Sequence, residues 1–358
     1  MKITFVLPEL HTTGGNRVAA IYAEKLQARG HDVTILAPDF ATPSVKNRIM
    51  STVKGAPRFN PTRAAFFDGL NVVTTPGGRP IFTADAPDAD VIVATWWETA
   101  FWVAAMDPSK GAKAYFVQHH EVHEHLPWWL SRGSYHLPLR KITIAKWLVE
   151  TMAEEYGDDD VDLVPNSVDT DQFHAPPREK QSAPTVGLLY STTAFKGVDV
   201  SLEAIARLTA ELPDLQVVAF GAKPVSKDLP LPPGARYFQA PAQDEIRDIY
   251  AACDVWLMAS RSEGFGLTAF EAMACRCPVV STAVGGPRDF VKDGVEGYLA
   301  SVGDVDGLVA GLRNVLTRTP AQWREMSDAA FRCATSYSWD DAADLFEAAL
   351  SRTAESRG

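Results

Sequence analysis

Short apolar runs alternate with longer amphipathic stretches along the chain, and this alternation predicts its secondary structure. Strands of a parallel sheet are near-continuous apolar runs, because helices cover both faces of the sheet. A helical stretch from about Arg17 to Arg29, ended by Gly30, joins the first two such runs. In the first half the runs are Lys2–Leu7, Val33–Ala37, Val91–Thr95, Ala114–Gln118, Lys141–Ala145 and Asp162–Val164. This half is therefore predicted to be a doubly wound parallel α/β domain.

The same alternation returns after residue 184 and predicts a second domain of the same class. The runs there are Thr185–Tyr190, Gln216–Phe220, Tyr237–Phe238, Val255–Met258 and Pro278–Thr282. Between the halves, the segment 165–184 holds four prolines and many polar residues, which is typical of a linker. A length of 358 residues with 46% apolar residues is sufficient for two domains of ordinary size.

Charge and cysteine content exclude several classes of function. A formal net charge of -11 argues against a nucleic-acid partner and against general attraction to anionic lipid. Met1–Leu7 lacks the features of a signal peptide, and no apolar run reaches the length of a membrane span, so we expect a cytoplasmic protein. The four cysteines lack zinc-site spacing and are expected to be reduced and mostly buried.

One segment of the second half carries the most informative pattern. Glu263 and Glu271 flank a turn in which Gly264 and Gly266 allow the backbone to come close to a ligand. Thr268 onward is predicted to be a helix whose free amide groups favour an anion. Two carboxylates around such a turn fit a phosphate-bearing, hydroxyl-rich molecule such as a nucleotide sugar. The alternative is a Thr-x-x-Glu capping box, in which Glu271 only satisfies a backbone donor.

A second glycine-containing loop follows the first strand. The segment Thr12–Asn16 includes the pair Gly14 and Gly15 and opens a helix, so its backbone can approach a phosphate or a sugar. Asp39, after the second strand, lies near the position of a ribose-binding acid, although the third glycine of a dinucleotide fingerprint is missing. A nicotinamide enzyme therefore remains a minor alternative.

Four histidines lie in the run Gln118–His125, which follows a strand of the first domain. They suggest a zinc site, but His119, His123 and Glu124 have no partner cluster elsewhere in the sequence. Asp158–Asp160 are expected to form a solvated turn before a strand. We therefore predict no metal site.

Taken together, these patterns resemble the retaining glycosyltransferases of family 4, which have the GT-B architecture. The resemblance covers nearly the whole chain. It is carried by the Glu263–Glu271 stretch, the Gly285-Gly286-Pro287 loop, Lys196-Gly197 after the first strand of the second half, and Asn166-Ser167-Val168-Asp169.

The resemblance implies an α/β protein of two Rossmann-like doubly wound domains that face a central cleft. The first domain would comprise residues 1–168 together with a returning helix within 338–358. A linker would follow at 169–184, and the nucleotide-sugar domain would comprise residues 185–337.

By resemblance, the donor is held chiefly by the second domain. Glu271 would hold the ribose diol, Glu263 the sugar hydroxyls, and Lys196 with the helix near Thr268 the diphosphate. The loop Phe238–Pro241 would hold the base. The other residues implied in donor binding there are Ala240, Gly264, Phe265, Gly266 and Leu267.

In the first domain, the family uses a glycine pair such as Gly14 and Gly15 to face the donor diphosphate. Gln118 or His119 would touch the donor sugar, and the alignment of strands leaves both open. The catalytic set implied is then Glu263, Lys196 and His119. The resemblance implies no metal and no cofactor besides the nucleotide-sugar substrate.

Tryptophans of the first half suggest where an acceptor binds. Five of them are Trp96, Trp97, Trp102, Trp128 and Trp129. Aromatic faces stack on sugar rings, whereas core packing is the other interpretation and is favoured for Trp102. The acceptor is expected to be a glycan or a lipid-linked glycan. The stretch Trp128–Arg140, with Arg132 and His136, is the candidate for at most peripheral membrane contact.

The chain departs from the family at Tyr190–Thr193, where an arginine is usual. The hydroxyls of Ser191 or Thr192 would be neutral and weaker substitutes for that second cation. Two alternatives therefore stay open: a sugar-nucleotide epimerase of similar architecture, and a two-domain sugar-binding protein without chemistry.

Overall fold

The computed structural model describes residues 1–39, 63–123 and 126–356, which form two compact units. The first unit comprises Met1–Asn166 together with the chain from Asp340 onward. The second unit comprises Ser167–Trp339. Each unit contains one sheet in which every strand pair is parallel.

The first unit is built on a seven-stranded sheet with the order β3-β2-β1-β4-β5-β6-β7. Its strands are β1 Lys2–Val6, β2 Asp32–Asp39, β3 Asn71–Pro76, β4 Val91–Ala94, β5 Ala112–Val117, β6 Arg140–Thr143 and β7 Val161–Leu163. Its helices include α1 Gly14–Ala28, α2 Trp97–Ala104, α3 Trp128–Ser134 and α4 Lys146–Tyr156. Because β1 pairs with β2 on one side and β4 on the other, the loops after β1 and β4 diverge at the carboxyl edge.

The strand β3 is not predicted from the apolar pattern. It lies at the edge of the sheet and buries Thr75, whereas Asn71, Thr74 and Pro76 are exposed. An edge strand with one partner does not need the continuous apolar run that marks a strand covered on both faces.

The second unit has a six-stranded sheet with the order β10-β9-β8-β11-β12-β13. Its strands are β8 Thr185–Leu189, β9 Gln216–Gly221, β10 Arg236–Gln239, β11 Val255–Met258, β12 Val279–Thr282 and β13 Gly297–Ala300. Its helices include α5 Val198–Glu211, α6 Ile246–Ala251, α7 Leu267–Ala274, α8 Pro287–Phe290, α9 Val305–Leu316 and α10 Pro320–Thr335. The central strands β8, β11 and β12 are almost wholly buried, as their apolar runs require.

The segment expected to be a linker, 169–184, belongs to the second unit. Phe173 is 1% exposed and lies against the ring of Tyr250. The buried carboxylate of Asp254 accepts hydrogen bonds from the backbone N–H groups of Gln181 (2.8 Å) and Thr185 (3.0 Å). The segment is irregular in conformation but is fixed by packing and hydrogen bonds, unlike a free linker.

The C-terminal helix α11, Trp339–Glu355, packs on the first unit. Phe346 is fully buried and stacks on Tyr22 (4.3 Å between centroids) and Phe5 (5.9 Å). At its rim, Lys25 pairs with Asp340 at 2.8 Å. Among the described residues, no helix is long and apolar enough to cross a bilayer.

Candidate functional site

In the second unit, neighbouring strands bring two functional loops together. β8 and β11 are adjacent and parallel, so the loops after Leu189 and Met258 lie at the same edge of the sheet. The first loop contains a 3₁₀ turn, Ala194–Lys196, and leads into α5. The second loop carries Ser260 and Glu263 and leads into α7.

Lys196 and Glu263 meet at this edge as an ion pair. The Nζ of Lys196 donates to Oε1 of Glu263 at 2.7 Å, and Oγ of Ser260 donates to the same oxygen at 2.7 Å. The Glu263 side chain is 11% exposed and that of Lys196 27%, so both remain within reach of a ligand. Lys196, Ser260, Glu263 and Thr268 line one pocket, together with apolar atoms of the β8 and β11 ends.

Gly197 explains how the turn that carries Lys196 packs so closely on the neighbouring loop. Its φ is +60°, and a Cβ there would lie 1.9 Å from the carbonyl oxygen of Ala259. A side chain at this position would force the two loops apart. The Lys-Gly pair noted in the sequence is thus a structural requirement for the Lys196–Glu263 contact.

The turn between the two glutamates is also built around glycine. Gly266 has φ +81° and is the N-cap of α7, so the helix begins at Leu267, one residue before the predicted start at Thr268. A Cβ on Gly286 would lie 2.0 Å from the carbonyl oxygen of Phe265. The glycine pair after β12 therefore packs directly on the backbone of the Glu263–Phe265 turn.

The capping-box interpretation of Thr268 and Glu271 is wrong. No side chain caps α7, and Thr268 lies inside the helix with its hydroxyl 3.8 Å from the sulfur of Met258. Glu271 instead accepts a hydrogen bond through Oε2 from the hydroxyl of Tyr250 at 2.9 Å. Tyr250 is fully buried, so it holds this carboxylate in a fixed orientation.

The loop after β10 has strained backbone. Phe238, which was expected in this loop, lies in β10 and is 40% exposed. Ala240, just after the strand, has φ +45°, a conformation that non-glycine residues rarely adopt. The backbone N–H of Ala240 donates to the carbonyl of Gly221 at 2.7 Å, which holds the loop against the end of β9. Strain of this kind concentrates at ligand-binding loops.

In the first unit, Gly14 and Gly15 are the first two residues of α1. Thr13 is the N-cap and accepts a hydrogen bond from the backbone of Asn16 at 3.2 Å. Nε2 of Gln118 donates to the carbonyl of Gly15 at 3.1 Å. This hydrogen bond connects the loop after β5, which carries Gln118, to the glycine pair that follows β1.

His119 lies one residue further along the loop after β5. Its Nδ1 is 3.0 Å from the carbonyl oxygen of His120, and its ring is 5.0 Å from that of His123. The hydroxyl of Tyr135 donates to the carbonyl of His119 at 3.1 Å, which ties this loop to the residue after α3. The backbone of His119 is therefore fixed by a buried residue.

Glu121, in the same loop, was not singled out from the sequence. It is 3% exposed, and its Oε2 accepts a hydrogen bond from the backbone N–H of Trp97 at 3.1 Å, at the start of α2. Burial raises the pKa of this carboxyl well above its usual value. The residues that bury Glu121 are distant from it in the sequence. The only sequence signal for this residue is therefore its position just after a buried strand.

Comparison with known proteins covers both units. The family model of Glycosyltransferase Family 4 matches residues 12–172, and that of Glycosyl transferases group 1 matches residues 169–331. The two matches overlap at residues 169–172 and together span residues 12–331, which contain every named strand except β1. The chain belongs to the family 4 glycosyltransferases.

Curated relatives of this glycosyltransferase family include D-inositol 3-phosphate glycosyltransferases. That of Mycobacterium marinum is 32% identical over 54% of this chain and 45% of its own length. That of Geodermatophilus obscurus is 34% identical over 54% of this chain and 47% of its own length. The chain thus spans about half the length of the curated relatives it matches.

Solved structures show the fold of the family. Anabaena HepE, in complex with UDP and glucose, has a TM-score of 0.74 at 16% identity, covering 99% of this chain and all of its own. Sucrose-phosphate synthase from Thermosynechococcus elongatus has a TM-score of 0.73 at 17% identity and covers both chains completely. The predicted GT-B fold class, with two Rossmann-like domains, is confirmed.

The side chains near Tyr190 do not replace the positive charge of the arginine that is usual in the family. Tyr190 is 3% exposed, and its hydroxyl donates to the carbonyl of Leu229 at 2.7 Å. Oγ of Ser191 accepts a hydrogen bond from the backbone of Thr193 at 3.2 Å. Arg261 lies next to Ser260, but its guanidinium is bound to Asp199 and lowers the pKa of that carboxyl.

Across residues 1–39, 63–123 and 126–356, no three histidine, cysteine, aspartate or glutamate side chains are arranged to hold a metal ion. Asp158 pairs with Lys141 at 2.6 Å and Asp160 with Arg140 at 2.8 Å. Glu124 and His125 lie outside the described residues.

The tryptophans considered for an acceptor surface differ in exposure, and Trp97 is buried. Trp128 and Trp129, on α3, are 48% and 61% exposed. Arg132 pairs with Glu155 nearby at 3.1 Å. Arg140 instead starts β6 and pairs with Asp162 at 2.6 Å, so it does not belong to this surface.

Proposed function

We propose that this protein is a retaining glycosyltransferase that moves a sugar from a nucleoside-diphosphate sugar to a carbohydrate or lipid-linked glycan. The observation that carries the proposal is the Lys196–Glu263 ion pair beside the start of α7. Family membership supports the same conclusion.

Each part of a nucleotide-sugar donor has a candidate partner in the second unit. Glu271, oriented by Tyr250, would accept hydrogen bonds from the two ribose hydroxyls. Glu263 would accept from hydroxyls of the transferred sugar, and the loop Phe238–Pro241 would hold the base. HepE is described with UDP and starch synthase IV from Arabidopsis thaliana with ADP, which supports a nucleoside diphosphate as the leaving group.

Lys196 and α7 would stabilise the charge that forms on the diphosphate. When the anomeric C–O bond breaks, the electron pair goes to a phosphate oxygen and the sugar gains oxocarbenium character. An ammonium group and the free N–H groups at a helix start both favour that anion. The acceptor hydroxyl would attack the face that the diphosphate leaves, and a diphosphate oxygen would take its proton. No separate general base is then required.

The acceptor would bind through the first unit. Gly14, Gly15, Gln118 and His119 are proposed to contact the donor from that side. The exposed pair Trp128 and Trp129 is proposed to contact a glycan or the surface that bears a lipid-linked acceptor.

Thermal unfolding in the presence of EDTA tests the donor site. UDP, GDP, ADP or dTDP is added singly, and a ligand at about 100 times its dissociation constant stabilises by about 2.7 kcal/mol. For domains of this size that is a shift of several degrees. A shift with one nucleotide identifies the base. A shift that EDTA abolishes would contradict the metal-independent site.

The reaction itself is tested with the matching nucleotide sugars. NMR of the product should show the anomeric configuration of the donor retained. Conversion of the donor to its epimer without an acceptor would favour the epimerase. Stabilisation by free sugars but by no nucleotide would favour a sugar-binding protein.

A further inference from the structure

Arg261 joins the two loops of the donor site through four hydrogen bonds. Its backbone N–H donates to the carbonyl of Phe195 at 2.7 Å, and its Nη1 donates to the carbonyl of Ala194 at 2.7 Å. Its Nη1 and Nη2 also donate to the two carboxylate oxygens of Asp199, at 2.8 and 2.5 Å. These partners flank Lys196 on both sides, in the 3₁₀ turn and in the first turn of α5.

The geometry links the alignment of Lys196 to that of Glu263. Arg261 lies two residues before Glu263, in the same loop. This short segment therefore forms hydrogen bonds to the turn that carries Lys196 and also supplies Glu263, the carboxylate partner of Lys196. A lysine side chain has four rotatable carbon–carbon bonds, and its amine is placed accurately only if its backbone is fixed. Arg261 supplies that fixation through the carbonyls of residues 194 and 195.

The pairing of Arg261 with Asp199 argues against Arg261 as the missing second cation of the diphosphate site. A guanidinium bound in this two-pronged way is already neutralised by its carboxylate. Releasing it toward a diphosphate would leave Asp199 unpaired beside the same anion. The charge arrangement therefore favours a positioning role over direct contact.

We propose that Arg261 and Asp199 are a positioning pair, which holds the amine of Lys196 where the diphosphate of the donor binds. This rests on the proposed function of Lys196. The pair is exposed, and exposed ion pairs contribute little to folding stability. Its effect should therefore be found in recognition of the diphosphate.

The chain offers a matched control on the same helix. Arg313 binds both carboxylate oxygens of Glu211 at 2.6 Å, at the last residue of α5. The Arg261 and Arg313 side chains are 39% and 42% exposed. Arg261→Met and Arg313→Met thus each remove one exposed arginine–carboxylate pair from α5. Only the first also removes a side-chain hydrogen bond to the Lys196 turn, the one to the carbonyl of Ala194, while the backbone bond from residue 261 to Phe195 stays.

Calorimetry is used to measure the dissociation constants of nucleoside mono- and diphosphates for each variant. Arg261→Met should reduce the preference for diphosphate over monophosphate by about tenfold, the value of one hydrogen bond to a charged group. Arg313→Met should leave that preference unchanged. In a Lys196→Ala background, Arg261→Met should have no further effect on it. Asp199→Asn should cause a smaller loss, because it removes the charge that orients the guanidinium of Arg261 but leaves the bond from Arg261 to the carbonyl of Ala194. Arg261→Ala replaces Arg261→Met if that variant does not fold.

The remaining outcomes contradict the assignment. An unchanged preference in Arg261→Met would exclude a positioning role, and a loss that persists without Lys196 would mean that Arg261 contacts the diphosphate directly. A wild-type protein with equal affinity for mono- and diphosphates would instead overturn the role proposed for Lys196 itself. The two failures are therefore distinguishable.

Discussion

The two units share a parallel-sheet plan but hold their candidate residues in different ways. In the second unit, charged side chains are paired with other side chains: Lys196 with Glu263, and Glu271 with Tyr250. In the first unit, the candidate contacts are made to backbone atoms, as when Gln118 donates to Gly15. The same strand-end position thus holds paired side chains in one unit and a side chain bound to backbone in the other.

This difference follows from what each loop must offer to a donor. In the proposed function, a diphosphate requires fixed charge and free N–H groups, which Lys196 and the start of α7 would provide. A loop that only borders the donor would have to leave room for it, as glycine at residues 14 and 15 would. Substitutions in the second unit should therefore cost more activity than substitutions in the first.

Glu263→Ala should have the largest effect. Removing the carboxylate that faces the sugar should reduce turnover by well over tenfold, because charged hydrogen bonds contribute about 1.5 to 3 kcal/mol each. Nucleotide affinity should stay near its normal value. Steady-state kinetics and calorimetry measure the two quantities, with Glu203→Ala on the exposed face of α5 as the control. Normal turnover in Glu263→Ala would remove this residue from the site.

Tyr250→Phe should have the next largest effect, on ribose recognition. Without the hydroxyl, Glu271 loses its orienting donor while the ring still packs on Trp256. We expect the preference for a nucleoside diphosphate over its 2′-deoxy counterpart to fall about fivefold, within the range of one hydrogen bond. Calorimetry with both ligands measures it.

Tyr190→Phe is the control for that variant, because its hydroxyl bonds to Leu229 instead. An equal loss of affinity for both ligands in Tyr250→Phe would indicate a general packing effect. A wild-type protein that does not distinguish the two ligands would exclude the ribose role of Glu271.

Gly15→Ala tests the first unit and should have a smaller effect. The added methyl group would lie 3.4 Å from Nε2 of Gln118, so the fold should accommodate it. If the donor approaches this backbone closely, turnover should fall severalfold while the midpoint of thermal unfolding stays within about 2 °C, since alanine is favoured in helices. Steady-state kinetics measure the turnover and scanning calorimetry measures the unfolding midpoint. Unaffected turnover would mean that the glycine pair does not border the donor.

Glu121→Gln should affect stability alone and only slightly. Burial raises the pKa of Glu121 in the folded protein, so folding favours its protonated form. Its contribution to the free energy of unfolding is complete below the usual glutamate pKa of about 4.3 and is lost as pH rises toward the folded pKa. The neutral amide should therefore raise the midpoint of unfolding at pH 7 more than at pH 4. A gain that is the same at both pH values would contradict this.

The sequence predicts the central strands better than the edges. β1, β4, β8 and β11 are covered on both faces and must be apolar throughout, so their runs stand out. The edge strand β3 is half polar and carries no such signal. The prolines in 165–184 predict a linker, and its hydrogen bonds to Asp254 are not visible in the sequence because Asp254 lies about 70 positions further on.

The sequence singles out the candidate residues but does not show their contacts. The spacing of Glu263 and Glu271 and the Lys-Gly pair at 196 are local features of the sequence. The partners of these residues come from other loops: Lys196 is 67 positions from Glu263, and Tyr250 is 21 from Glu271. Only the strand order, which places β8 beside β11, determines such pairs.

The position of α11 has a consequence for how the chain folds during synthesis. Phe346 completes the aromatic core that Phe5 and Tyr22 begin, so the first unit lacks part of its interior until residues near 350 have left the ribosome. The second unit, Ser167–Trp339, is continuous in sequence and is complete earlier. Domains usually fold in the order of their synthesis. Here the unit that is synthesised first is completed last. Part of its hydrophobic core stays exposed while the second unit folds.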